Sequence, residues 1–228
     1  MKFGRIAMAL LIAAAGAGAA LAAPAEHEFA SDVAAIAAAP APAPGGLVLV
    51  GSSIFKRWES CGRDLAPLPV VNRAFGGSRT DDQLFFFDKI VPTSRAAVVV
   101  WYCGSNDLNA KRTPETILQN TRDWVARTRA ALPGARLVLV SVIRAPQKRE
   151  SGMLDAVDAV NAGLRGLAGS SMEVRYVDVN PALETGAGEA VTECYLSDKL
   201  HLTPEGYRRM TSVLKPALEA AWKPAGTN

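Results

Sequence analysis

The sequence is poor in the residues on which many enzyme classes depend. It holds two histidines and three cysteines in 228 residues, with no CxxC pair and no HExxH, so a dedicated metal centre has no visible ligand set. No Gly-Lys-Ser or Gly-Lys-Thr follows a glycine-rich turn, which excludes a phosphate loop, and no cofactor is expected. An excess of one charge is missing too. The 25 basic and 22 acidic residues leave a formal +3, with no basic run or interleaved aromatics, and nucleic acid is not an expected partner. Cys61, Cys103 and Cys194 are odd in number, so at most one intramolecular disulfide can form and one thiol is left over. Their spacing does not say which pair bonds, if any.

At the start of the chain, Lys2 and Arg5 precede an apolar run from Ile6 to Leu21, and Ala20-Leu21-Ala22 fits a small-x-small cleavage site. Residues 1–22 therefore read as a secretory signal peptide. The run is short for a membrane span and no cysteine follows it to accept a lipid, which predicts a periplasmic or secreted protein without a stable membrane anchor. Residues 23–46, "APAEHEFASDVAAIAAAPAPAPGG", read as an Ala/Pro-rich linker that is semi-rigid near Pro40 to Pro44, with a short helix over "FASDVAAIAAA" as the alternative. Residues 47–228 are long enough for one domain with a real core.

Short, nearly continuous apolar runs recur at 47–50, 70–75, 96–102, 136–143 and 174–179. Continuous rather than alternating burial suits strands covered on both faces of a parallel sheet. Helical signals lie between them. Thr113-Pro114-Glu115 and Thr203-Pro204-Glu205 each place a cap and then proline at the first helical position, and "GMLDAVDAVNAGLRGLA" supplies a further amphipathic stretch. The expected class is α/β, a three-layer α/β/α sandwich on a mostly parallel five-stranded sheet.

Ligands in such folds gather at the carboxyl ends of the strands. Gly51-Ser52-Ser53 follows the first run, Gly76-Gly77-Ser78 the second and Gly104-Ser105-Asn106-Asp107 the third, while "LSDKLHLTPEGY" precedes the final helix. His27 falls in the linker, so His201 is the one imidazole of the folded domain. Three residues earlier stands Asp198; in a turn of helical geometry that spacing puts both side chains on one side, where a carboxylate orients one ring nitrogen and leaves the other free to take a proton. A hydroxyl nucleophile needs such a base. It also needs donors aimed at the oxyanion, for which Gly77 and Asn106 are candidates. Arg79, Lys111 and Arg144 lie near strand ends and read as solvated surface charges. Cys103, with no second histidine to serve it, reads as a packed or oxidised residue.

The blocks "GSSI", "AFGGS", "GSND" and "DKLH", in this order and each after its expected strand, resemble the four blocks of the SGNH hydrolase superfamily, also called GDSL esterases and lipases. The resemblance spans roughly residues 47 to 222. It implies the flavodoxin-like SGNH hydrolase fold and a carboxylic ester hydrolase that works through an acyl-enzyme on a small-molecule ester, with small acyl groups on alcohols, sugars or lipids. It implies Ser53 as nucleophile, His201 as base and Asp198 as its orienter, with the oxyanion received by the N–H groups of Ser53 and Gly77 and by the Asn106 side chain. One departure is plain: the family's usual aspartate before the nucleophile is Ser52 here, as in a Gly-Ser-Ser branch of the superfamily, and Ser52 reads as the residue that holds the turn. Alternatives left open are a lysophospholipase or thioesterase specificity, or a non-catalytic ligand-binding module on the same fold. The sequence leaves the oligomeric state unassigned.

Overall fold

Five β-branched and apolar runs form the strands β1 (Leu47–Gly51), β2 (Val70–Asn72), β3 (Val98–Tyr102), β4 (Arg136–Val140) and β5 (Val174–Val177). They belong to a computed structural model that describes residues 27–39, 43–169 and 173–222; the expected signal peptide lies outside the described residues. All four pairings are parallel, in the order β2-β1-β3-β4-β5. β2 and β4 stop earlier than their apolar runs; the Arg73 and Phe75 N–H groups still donate to the Leu49 and Gly51 carbonyls of β1 at 2.9 and 3.0 Å, and side chains engage backbone groups beyond each end. The Ala74 N–H donates to Asn72 Oδ1 at 3.0 Å and the Val142 N–H to Asn161 Oδ1 at 2.7 Å.

In chain order the helices are α1 (Ala30–Ala38), α2 (Ser53–Lys56), α3 (Cys61–Asp64), α4 (Thr80–Phe85), α5 (Phe87–Ile90), α6 (Ser105–Asn109), α7 (Pro114–Ala131), α8 (Pro146–Glu150), α9 (Leu154–Gly169), α10 (Asn180–Leu183) and α11 (Pro204–Ala221). The two Thr-Pro starts behave as their sequence implies. Thr113 Oγ1 accepts the Thr116 N–H at 3.3 Å and Thr203 Oγ1 accepts the Gly206 N–H at 3.2 Å, each satisfying a donor that the first helical turn leaves free. No helix among the described residues is long and apolar enough to cross a membrane.

Alternate strand residues feed two separate cores. Leu47, Leu49, Val98, Val100, Val138 and Val140 meet Met210, Leu214 and Leu218 of α11 on one face. Val48, Val50, Val99, Trp101, Leu137 and Leu139 meet Trp124 of α7 and Val157, Val160 and Leu164 of α9 on the other. Burial on both sides, at about 1.5–3 kcal/mol for each large apolar side chain, is what selects uninterrupted apolar strands over alternating ones. The expected three-layer sandwich is the observed one.

Residues 27–39, inside the stretch read first as a linker, are not an extended spacer. They contain α1, whose Val33 is fully buried in the second core, with Phe29, Ala30 and Ile36 packed against it. Three apolar side chains on a short helix, with Phe29 just before it, give the segment enough to bury, so the helical alternative describes it. Cys61, Cys103 and Cys194 are all buried and free.

Candidate active site

The chain runs from β1 to β2 on one side and from β3 to β5 on the other, so the crevice of the sheet opens at the carboxyl ends of β1 and β3. Gly51 ends β1 at φ 140. A β-carbon there would lie 1.9 Å from the Tyr102 carbonyl oxygen, so only glycine lets β1 turn this close to β3. The Ser52 N–H donates to the same carbonyl at 3.0 Å, and Ser53 becomes the first residue of α2. Tyr207 of α11 ties this short helix down by donating its hydroxyl to the Ile54 carbonyl at 2.8 Å.

The structure corrects the role given to the Ser52 side chain. Its Oγ is buried without a hydrogen-bond partner among the described residues, and it makes no cap to α2. The turn is held by backbone instead, since the Ser52 carbonyl accepts the Phe55 and Lys56 N–H groups at 3.1 and 3.0 Å.

Gly76 and Gly77 follow β2 and lie alongside Ser53: a β-carbon on Gly76 would stand 4.0 Å from Ser53 Cβ. Gly77 has φ 80, a left-handed conformation. Below it, Ser78 Oγ donates to the Phe75 carbonyl at 2.9 Å, and Gln83 Nε2 donates to Ser78 Oγ at 2.8 Å and to the Gly51 carbonyl at 3.0 Å. Gln83 thereby joins this turn to the end of β1.

After β3, Asn106 Nδ2 donates to the Ser78 carbonyl at 3.0 Å. An amide nitrogen carries two N–H groups, so this bond fixes the amide and leaves one donor over. α6 is anchored from two directions. Asp107, fully buried, accepts the Thr80 N–H at 3.2 and 3.1 Å and Thr80 Oγ1 at 2.6 Å; burial pushes its carboxyl up despite these bonds. Lys148 of α8, also fully buried, donates to the Ser105 carbonyl at 2.8 Å and to Asn109 Oδ1 at 2.5 Å. Burial pulls its ammonium down to about 8.

Before α11, Asp198 Oδ1 accepts the N–H groups of Leu200 and His201 at 3.0 and 2.9 Å, and Oδ2 lies 2.7 Å from His201 Nδ1. The spacing of three works through a turn with Lys199 at φ 59, not through helical geometry. The loop is closed by the Leu196 N–H donating to the His201 carbonyl at 2.8 Å. Burial pushes the Asp198 carboxyl up, but the bonds from His201 and Leu200 outweigh it and hold it at about 2. The other ring nitrogen, His201 Nε2, is 2.9 Å from Ser53 Oγ, across 148 residues of sequence.

A hydroxyl, an imidazole and a carboxylate thus stand in one hydrogen-bonded line, with Gly77 and Asn106 on neighbouring turns. That arrangement can take a proton from the hydroxyl while charge on the imidazole is balanced. Arg79 is engaged by Asp81 and Asp82 at 3.6 and 3.4 Å, and Arg144 by Glu184 at 2.9 Å and by Asp158; Lys111 is exposed at φ 59. Burial pushes the Cys103 thiol well up, and its Sγ lies 3.7 Å from the Ser78 carbonyl, an environment that suppresses the thiolate. Gln83, Lys148 and the bracing role of Asp107 were not legible in the sequence, because Gly51, Ser105 and Thr80, to which they reach, are 27 to 43 residues away.

Residues 50–209 match the family model of the GDSL-like lipase/acylhydrolase family. No curated protein matches the sequence significantly. Among solved structures, the chain is similar to a GDSL-like lipase from Bacteroides thetaiotaomicron at 22% identity and TM-score 0.71, over 85% of this chain and 96% of that one. It is similar to the lipase/acylhydrolase from Enterococcus faecalis at 20% identity and TM-score 0.63, over 80% and 100%. A carbohydrate esterase family 3 protein from Talaromyces cellulolyticus shares 17% identity and TM-score 0.63, over 77% and 97%. At these identities the structural likeness speaks for the fold, whereas the family model spans more than half of the chain and takes in Ser53, Gly77, Asn106, Asp198 and His201. The chain belongs to the GDSL-like lipase/acylhydrolase family of the SGNH superfamily.

Proposed function

We propose that the protein is an exported serine esterase that cleaves small acyl groups from alcohols or sugars. Ser53 Oγ attacks the ester carbonyl as His201 Nε2 takes its proton, and the tetrahedral oxyanion is received by the N–H groups of Ser53 and Gly77 and by the Asn106 side chain. His201 returns the proton to the departing alcohol. Water then attacks the acyl-enzyme through the same base, releasing the acid and restoring Ser53. Asp198 remains a carboxylate throughout and keeps the imidazole oriented.

The observation that carries this reading is the line from Ser53 Oγ to His201 Nε2 at 2.9 Å and from His201 Nδ1 to Asp198 Oδ2 at 2.7 Å. A cleft lies beside it. This cleft of about 440 Å³ adjoins the His201 loop through Leu196 and Leu202 and the Ser53 helix through Arg57, and Glu59 and Arg63 also line it. Pro204 and Tyr207 complete the apolar part of its lining beside these charged groups, and the choice of small acyl groups on alcohols or sugars rests on the family likeness. Export is supported by the amino-terminal pattern of Lys2, Arg5, the apolar run and the Ala20-Leu21-Ala22 site.

A fluorophosphonate probe tests the core of the proposal. Wild type should be labelled covalently and Ser53→Ala should not; unlabelled wild type would refute it. Rates over p-nitrophenyl esters of increasing acyl length, beside acetate release from acetylated sugars, should fall with chain length.

A further inference from the structure

Three consecutive residues at the start of the described chain land on one short stretch that follows β2. His27 Nε2 lies 3.2 Å from Asp82 Oδ1, on a carboxylate that is 3% exposed. Its ring stacks on Phe85 at 4.8 Å and meets Phe86 edge-on at 4.8 Å. Glu28 Oε1 is 4.0 Å from Arg79 Nη2. The Phe29 ring packs on Phe75 at 5.3 Å, and its Cε1 and Cζ atoms would stand 3.5 and 3.6 Å from a β-carbon on Gly77. Apart from the chain neighbours of Gly77, no other described heavy atom comes within 4 Å of that point.

Gly77 needs an external support. It follows another glycine, it holds a left-handed conformation, and it has no side chain with which to anchor its own backbone. Ser78 is pinned from below by Gln83 and by Asn106, but the outer side of Gly77 is exposed except where Phe29 meets it. An oxyanion donor does its work only when its direction is fixed before the charge forms.

We propose that Phe29 is a positioning residue for the Gly77 donor: the segment around His27, Glu28 and Phe29 straps the Gly77 turn from outside and holds its N–H toward the oxyanion. This rests on the reading of Gly77 as an oxyanion donor in the esterase above. The strap is therefore part of the catalytic domain, although it lies before the first strand and outside the family match.

The test compares two variants in the same segment, assayed with p-nitrophenyl acetate below the lowest melting temperature of the set. Phe29→Ala removes the ring on Gly77, whereas Val33→Ala removes a fully buried side chain of α1 that the Gly77 contact does not include. Phe29→Ala should lower kcat about 10- to 100-fold with KM within about twofold, the range expected when a reacting group is displaced by about an ångström. Val33→Ala should lose thermal stability and keep kcat, and Phe29→Leu should recover most of the rate. If Phe29→Ala keeps its kcat while Ser53→Ala is inactive, the strap proposal is overturned alone. Equal kcat losses in Phe29→Ala and Val33→Ala would also overturn it, since that is the behaviour of a merely structural segment. Turnover by Ser53→Ala would overturn the esterase reading and the strap with it.

Discussion

Replacing Asn106 with alanine tests a catalytic and a structural role of one side chain together. One N–H of its amide is committed to the Ser78 carbonyl at 3.0 Å, and the other is the proposed donor to the oxyanion. Loss of the first bond removes a neutral hydrogen bond from a half-buried residue, which costs stability on the order of 1 kcal/mol. Loss of the second removes a preorganised donor to developing charge, worth about 2.7–4 kcal/mol of transition-state stabilisation, or roughly 100- to 1000-fold in kcat. The ground-state carbonyl profits little from that donor, so KM should hardly move. α6 itself should survive, because Asp107 and Lys148 brace it independently of Asn106. Steady-state kcat and KM on p-nitrophenyl acetate, with thermal melts on the same samples, read both effects. Asn106→Asp is a useful companion, since it preserves shape and places a negative charge where the oxyanion forms; it should be at least as slow as Asn106→Ala. A kcat within about threefold of wild type for Asn106→Ala, or a loss confined to KM, would refute the assignment of this side chain to the transition state.

Other expectations follow from the same geometry. Asp198→Asn should lower kcat by about 1000- to 10,000-fold at neutral pH, because an amide cannot hold the required imidazole tautomer. The folded Asp198 carboxyl sits at about 2, below its ordinary 3.8, so its contribution to stability is present above the ordinary value and is lost as pH falls toward 2. The melting-temperature gap between wild type and Asp198→Asn should accordingly be constant near neutrality and close below about pH 4; a gap that stays fixed to pH 2 would contradict this. Lys148 is pulled down to about 8 from 10.5 by burial, so its charged form penalises folding below about pH 8 and the penalty is relieved as pH rises toward 10.5. Denaturant titrations at pH 7 and 10 should show wild type gaining stability relative to Lys148→Met at the higher pH, and no relative gain would count against the buried ammonium. Gly51→Ala drives a β-carbon to 1.9 Å from the Tyr102 carbonyl oxygen and should cost at least about 3 kcal/mol in chemical denaturation; an unchanged midpoint would show that β1 and β3 do not approach this closely.

The sequence by itself determined the layered fold and the order of the chemical blocks. Both are written in local pattern: uninterrupted apolar strands demand two covered faces, Thr-Pro starts mark α7 and α11, and a scarcity of histidine left His201 as the one imidazole after the first strand. Only the tertiary structure decided what those residues meet. The 2.9 Å approach of His201 to Ser53 spans 148 residues, and it depends on α11 and α2 being tied together through Tyr207 and Ile54. Ser52 reads in the sequence as the residue that holds the turn, yet its hydroxyl is buried without a described partner while backbone groups hold the turn. The Ala/Pro-rich composition of residues 23–46 pointed to a spacer, but Val33 and Phe29 found a surface to bury against and brought the segment beside Gly77. Composition records what a segment can bury; only the folded chain provides the surface that makes burial favourable, because that surface is assembled from residues distant in sequence.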